Sequence, residues 1–230
     1  LVIGCDSAGA VGPYPLDQVK ASGYLVGRLT ARVALLEVVC TGATPVAVTD
    51  TLSVGGDVAE QFILGVLDEA SEAGVPRDRI TGSYEKNFKP VQTGVGVTVI
   101  GVSTVKPRVG CSKPGDLLLL IGNPTTGEEV VEMYGKGLLP TVNLAKKLMG
   151  IRGVREVIPV GSRGVKHETW VLATDSSCKP VLKEEPVIFK SAGPSTALLA
   201  SVSPDVVEEV RKVVNLPVRV VGRLETWVRS

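Results

Sequence analysis

The 230 residues balance 25 Lys plus Arg against 24 Asp plus Glu, and a formal charge of +1 leaves no basic stripe of the kind that nucleic acid selects. The length admits one large domain or two smaller ones, with an ample core in either case. Aromatic residues make up only 4% against 44% hydrophobic residues overall, so the core is aliphatic, which suits an α/β protein better than a sugar-binding or base-stacking surface.

Cys5, Cys40, Cys111 and Cys178 are widely spaced, without a Cys-x-x-Cys pair or a neighbouring His, and so indicate neither zinc nor a disulfide framework. The longest aliphatic run, Leu117 to Ile121, falls far short of the roughly 20 residues of a spanning helix, and no basic-then-apolar leader opens the chain. The expectation is a soluble, cytoplasmic protein with neither a membrane nor a nucleic-acid partner. The chain opens on Leu1 without an initiator Met, and residues are expected to precede it.

Leu1 to Val11 reads as a strand, and Val26, Leu29, Val33, Leu36 and Val39 recur at helical spacing until Gly42. Pro45 to Val54 is the next extended run. Asp57 and Glu60 then have the spacing of a capping box ahead of an apolar helical face at Val58, Phe62, Val66 and Ala70, which Gly74-Val75-Pro76 ends. A short strand near Arg79 to Tyr84 leads through a polar loop into the β-branched run Val95 to Val105, giving β-α-β-α-β-β.

The punctuation at Lys106-Pro107-Arg108 and Ser112-Lys113-Pro114-Gly115 places a domain boundary near residue 106, dividing the chain into 1–105 and 106–230. In the second half, Leu117 to Ile121 reads as a strand, Thr126 with Glu129 as a capping box, Leu138 to Leu148 as a helix and Val218 to Val221 as a closing strand. A final helix is opened by Ser203 and Pro204. Two α/β lobes are the economical architecture.

Four acidic residues stand out at the edges of apolar elements: Asp6, Glu37, Asp50 and Glu85. Glu37 lies within Val33 to Val39, where a carboxylate facing an apolar layer needs a cation, a proton or a donor. Carboxylates converging on one cleft repel unless a hard cation such as Mg²⁺ neutralises them, and Mg²⁺ usually accompanies phosphate oxygens. The cluster suggests phosphoryl chemistry. Against this, Asp6 and Asp50 also suit strand or turn caps, and Glu37 an internal pair with Arg28 or Arg32. Glu85-Lys86-Asn87-Phe88-Lys89 offers cations and an amide to phosphates, or is an ordinary solvated loop. His167, the single histidine, falls in a stretch read as a loop and is of the kind that is usually incidental.

In order and spacing these pieces resemble the aminoimidazole ribonucleotide synthetase (PurM-like) superfamily across essentially the whole chain. Cys5-Asp6-Ser7-Ala8-Gly9 is similar to its first-strand acidic motif, and Leu36 to Pro45 to its helix ending in a Gly-Ala-x-Pro turn. Asp50 falls where the family has an aspartate, and Gly82-Ser83-Tyr84-Glu85 where it has a Gly-Gly-Asp or Gly-Gly-Glu loop. Glu37 in place of aspartate, Ser83 in place of glycine and a short second domain without a His-Asp Gly-rich loop depart from the pattern. The runs Gly27 to Arg32 and Gln92 to Val97 look most similar to the branch that phosphorylates α-ribazole in cobalamin nucleotide-loop assembly.

The resemblance implies a homodimer whose N-terminal four-stranded sheets join into a barrel, with Mg-ATP held near the interface. It implies acidic residues as metal ligands; with the chemistry of the loop, the expectation is Asp6, Glu37, Asp50 and Glu85 on Mg²⁺, Lys86, Asn87 and Lys89 on phosphates, and Asp50 and Glu37 as catalytic. The function expected is an ATP-dependent kinase acting on a nucleoside-like hydroxyl. The rivals are an ATP-dependent ligase or synthetase and a non-catalytic nucleotide-binding maturation protein.

Overall fold

In the computed structural model residues 1–227 are described, and they resolve into two units: Leu1–Val39 with Ala43–Val105, and Cys40–Gly42 with the residues from Lys106 onward. The first runs β1 (Val2–Gly9), a small parallel pair β2 (Val11–Gly12) and β3 (Val19–Lys20), α1 (Gly23–Val39), β4 (Thr44–Leu52), α2 (Gly56–Glu72), β5 (Ile80–Tyr84) and β6 (Gly94–Val102). Apart from the β2 and β3 pair this is the order that periodicity implies. The sheet is ordered β1-β6-β4-β5, with β6 antiparallel to both neighbours and β5 parallel to β4 at one edge.

Burial along β6 alternates with the period of a half-covered strand: Val95, Val97 and Val99 are buried, whereas Ile100 and Val102 are exposed. The helices lie on the buried side, α1 against β1 and β6, and α2 against β4 and α1. They approach closely because glycines meet at the crossing. A Cβ on Gly27 would lie 2.2 Å from the Phe62 carbonyl oxygen, and one on Gly65 2.2 Å from that of Tyr24. Paired ions reinforce the contact. The Arg28 guanidinium donates from Nη1 and Nη2 to the two Glu72 oxygens, both at 2.8 Å, and Arg32 donates from Nε and Nη2 to Glu69 at 2.7 and 2.9 Å.

The second unit contains β7 (Leu117–Gly122), α3 (Glu128–Gly135), α4 (Val142–Gly150), β8 (Val154–Pro159), α5 (Gly164–Asp175), β9 (Cys178–Leu182), β10 (Ala197–Val202), α6 (Val207–Val213) and β11 (Val218–Thr226). Its antiparallel sheet is ordered β8-β10-β7-β11-β9. Leu118 to Ile121 sit in the central strand with no exposed surface, which explains their unbroken apolar run. Glu156 on β8, 2% exposed, accepts from the backbone N–H groups of Gly110, Cys111 and Ser112 at 2.9, 2.8 and 2.7 Å, and from the Ser112 and Ser176 hydroxyls at 2.5 and 2.8 Å. The carboxylate thus pins the segment that leads into β7.

Several local expectations fail. No capping box forms at Asp57 and Glu60: α2 starts from Gly55-Gly56, where Gly56 has a φ of +57°, so Asp57 sits inside the first turn. Nor does one form at Thr126 and Glu129, because Gly127, with a φ of +66°, occupies the cap of α3. The helix expected over 138–148 starts instead at Val142, after Pro140, with the Thr141 hydroxyl accepting the Leu144 N–H at 3.1 Å. His167 lies on α5, not in a loop. Among the described residues no helix is long and apolar enough to cross a membrane.

Candidate active site

Strand register decides which of the four acidic residues meet. Asp6 of β1 and Asp50 of β4 both pair with Val97 of the intervening β6, so all three side chains rise from the helix-covered face. Two strand spacings separate the aspartates, about 9.5 Å between backbones. Burial pushes both carboxyls up to about 6; for Asp6 a hydrogen bond from the Ser7 backbone opposes part of that shift.

Asp50 is the more constrained of the two. It is 3% exposed, and its Oδ1 is buried without a hydrogen-bond partner. Its carboxylate occupies the space a side chain on Gly82 would fill: a Cβ built there would lie 2.1 Å from Oδ1 and 2.6 Å from Oδ2. Gly82 is Asp50's register partner on β5, so the missing side chain is what admits the carboxylate. The group opens onto a recess of about 280 Å³, lined also by Arg77, Thr81 and Tyr84, with Ile63 and Leu67 of α2 as its apolar wall.

The other two acidic residues stand apart. Glu37 is exposed on α1, which overturns its expected burial. Its Cβ lies 2.9 Å from where a Cβ on Gly4 would be, beside the β1 edge of the sheet. The α1 arginines named as its partners hold Glu69 and Glu72 of α2. Glu85 follows β5, and its Oε1 accepts the Asn87 N–H at 2.6 Å, the main cause holding its carboxyl below the ordinary value. The expected four-carboxylate cluster does not assemble: among the described residues no group of three or more His, Cys, Asp or Glu side chains is placed to hold a metal ion.

Lys86 belongs near the recess. Its Nζ stands 4.7 Å from the ring centroid of Tyr84, one of the recess walls. Asn87 and Lys89 follow it on the exposed turn. Arg77 and Thr81 line the recess and were not singled out by sequence. Gly82 carried the available signal, since a glycine inside a strand marks close approach of another group; nothing in the spacing points to Arg77.

For Mg²⁺, the donor set fits only one mode of binding. Among the described residues the carboxylates do not gather into a dedicated cage, whereas one or two carboxylates completed by waters and substrate phosphates is the ordinary magnesium arrangement. Asp50, whose Oδ1 is buried without a partner and whose side chain lines the recess, is the carboxylate to weigh for that mode.

Residues 1–103 match the family model described as AIR synthase related protein, N-terminal domain. Over 160 residues, 62% of this chain, the sequence is 28% identical to the PurL subunit of phosphoribosylformylglycinamidine synthase from Moorella thermoacetica, but spans only 22% of that protein. Among solved structures, thiamine-monophosphate kinase from Stenotrophomonas maltophilia superposes with a TM-score of 0.70 at 16% identity, covering 98% of this chain and 83% of that one. The hydrogenase maturation protein HypE in complex with ATP gives 0.66 at 16% identity, covering 97% and 77%. Residues 1–103 therefore carry the AIR synthase related N-terminal domain, and the chain as a whole shares the fold of these solved structures.

Proposed function

We propose that this protein is a Mg-ATP-dependent kinase that transfers the γ-phosphoryl group to a hydroxyl of a nucleoside-like small molecule. The observation that carries this is Asp50: a buried carboxylate with an unpartnered oxygen, seated over Gly82 at the mouth of a recess shared with Arg77 and Thr81. Such a group costs stability unless a ligand completes it. Mg²⁺, when bound with ATP, would neutralise charge on the transferring phosphate and hold its oxygens in place.

Asp50 would hold the metal or accept the hydroxyl proton, and a carboxyl near 6 is matched to proton transfer at neutral pH. Arg77 and Lys86 supply positive charge at the rim, while Asp6 adds a second carboxylate on the same sheet face. Glu85, Asn87 and Lys89 would complete the nucleotide site from the turn after β5, whereas Glu37, at the β1 edge of the sheet, stands away from it. The apolar Ile63 and Leu67 wall limits water on one side.

The acceptor we favour is α-ribazole, on the likeness of residues 27–32 and 92–97 to that branch. In the fold the first of these runs serves helix packing, through Gly27 at the crossing and the Arg28 and Arg32 pairs with α2, and the second enters β6. We also propose a homodimer, because the face of the first sheet opposite its helices presents Ile3, Ile100 and Val102 at 68%, 36% and 40% exposure. A second reading, an ATP-dependent synthetase, is favoured by the sequence likeness to a synthase subunit over 160 residues.

The test is a panel of ribosides, α-ribazole included, incubated with Mg-ATP and read by mass. A phosphorylated riboside, absent when Mg²⁺ is chelated, supports the kinase. Release of inorganic phosphate with no phosphorylated riboside in any reaction points to the synthetase.

A further inference from the structure

The second unit carries a groove of different character. The segment before β7 and the turn between α4 and β8 line an open concavity of about 480 Å³, a volume suited to a small organic ligand. Four of the residues lining it are cationic, Arg108, Lys113, Arg152 and Arg155, and none is acidic. Like charges gathered in one concavity repel and raise the local positive potential unless an anion occupies it.

Nearby carboxylates answer only part of this charge. The Asp116 Oδ1 lies 3.7 Å from Arg155 Nε, too far for a hydrogen bond, while its Oδ2 accepts the Lys113 backbone N–H at 2.8 Å. Asp205 feels Arg155 weakly, its main contact being the Ser203 hydroxyl. Glu156, although adjacent in sequence, is committed to Gly110, Cys111 and Ser112. Arg155 Nε is left buried without a hydrogen-bond partner. Arg108, by contrast, is fixed in place: its Nη1 donates to the Met149 carbonyl at 2.8 Å, which leaves the rest of its planar fork for a ligand.

We propose that this groove binds a small molecule bearing a di- or triphosphate group. Planar guanidinium forks and an ammonium are the groups that recognise phosphate oxygens, and four cations offset only in part by Asp116 and Asp205 match several phosphate charges better than one. The site lies wholly in the second unit and does not depend on the kinase proposal.

The test uses the intact protein with EDTA present, so that no metal-dependent site contributes, and calorimetric titration at low salt with inorganic phosphate, pyrophosphate and tripolyphosphate. Affinity is expected to rise in that order and to weaken with added salt. Lys113→Glu and Arg152→Glu change exposed residues and should leave the melting temperature unaltered, yet each should weaken tripolyphosphate binding by about tenfold or more. Asp50→Asn should not weaken it.

Cys111 lines the groove and gives a second readout. Pyrophosphate should slow its alkylation by a neutral thiol reagent, followed by mass, while leaving Cys5 of the first unit unaffected. Absence of polyphosphate binding, wild-type affinity in the Lys113→Glu, Arg152→Glu double variant, or loss of binding in Asp50→Asn would each overturn the proposal. Tighter binding of a short single-stranded oligonucleotide than of tripolyphosphate would overturn the assignment to small molecules. Polyphosphate binding that persists when no riboside is phosphorylated would separate this site's success from failure of the kinase proposal.

Discussion

Asp50→Asn isolates the unpartnered carboxylate with little change of shape. Burial raises the Asp50 carboxyl from 3.8 to about 6, and each tenfold change in proton affinity corresponds to about 1.4 kcal/mol. The ionised group therefore costs the fold up to about 3 kcal/mol, an upper bound because the recess is open to solvent on one side. The sign follows from proton counts. Between pH 3.8 and 6 the folded state binds the proton that the unfolded state has released, so stability falls as pH rises through that window and levels off above it.

The neutral amide has no such dependence. Urea unfolding of both proteins from pH 4 to pH 8 should show the variant more stable at the alkaline end, by about 2 to 3 kcal/mol, with the difference shrinking toward zero near pH 4. Phosphoryl transfer by the same variant should fall on the order of a hundredfold. A difference that does not vary with pH, or a variant less stable than wild type at pH 8, would mean that ionised Asp50 already has a partner in the fold, and the site argument would lose its foundation.

Glu69→Ala leaves Arg32 buried without its bidentate partner and should cost about 3 to 5 kcal/mol in chemical unfolding; a loss below 1 kcal/mol would show the α1 and α2 contact to be held by packing alone. Glu156→Gln removes the charge that accepts five donors, and should cost about 2 to 4 kcal/mol and speed amide exchange at Gly110, Cys111 and Ser112 before the rest of the second unit. Glu37→Gln, at an exposed position, should shift stability by less than about 1 kcal/mol; a larger loss in thermal melts would restore a structural role for that carboxylate.

The first unit was legible because its strands and helices are long and separated by clear breaks. Val95 to Val99 alternate in burial, and α1 carries a continuous apolar pattern to its end at Val39. The second unit was harder. Ala197–Val202 is buried on both faces, so it shows no alternation by which a strand could be told from a loop-bound apolar run. The α5 helix buries only Gly164, Val165, Thr169, Leu172 and Ala173 and has no side-chain cap, which hid it among polar residues around His167.

At the site, sequence found Asp6 and Asp50 but misjudged Glu37. A helix that is apolar nearly all round still has a face beyond the edge of the sheet, and spacing alone cannot show where that edge falls. Glu37 lies beside β1, an outer strand, and there the carboxylate reaches solvent.

Two buried carboxylates with opposite surroundings bring the separate strands together. Glu156 is met by five donors from two directions of the chain, so its charge is answered within the fold and serves to fix a connecting segment. Asp50 has an oxygen with no donor at all, and the neighbouring strand has given up a side chain at Gly82 to make room for it. A fold selected only for stability would supply a hydroxyl or an amide there, as it does around Glu156. Leaving Asp50 unsatisfied beside an open recess makes sense if the missing partner arrives from solution, and a cation carried by nucleotide phosphates is the partner whose charge and hard oxygen chemistry suit it.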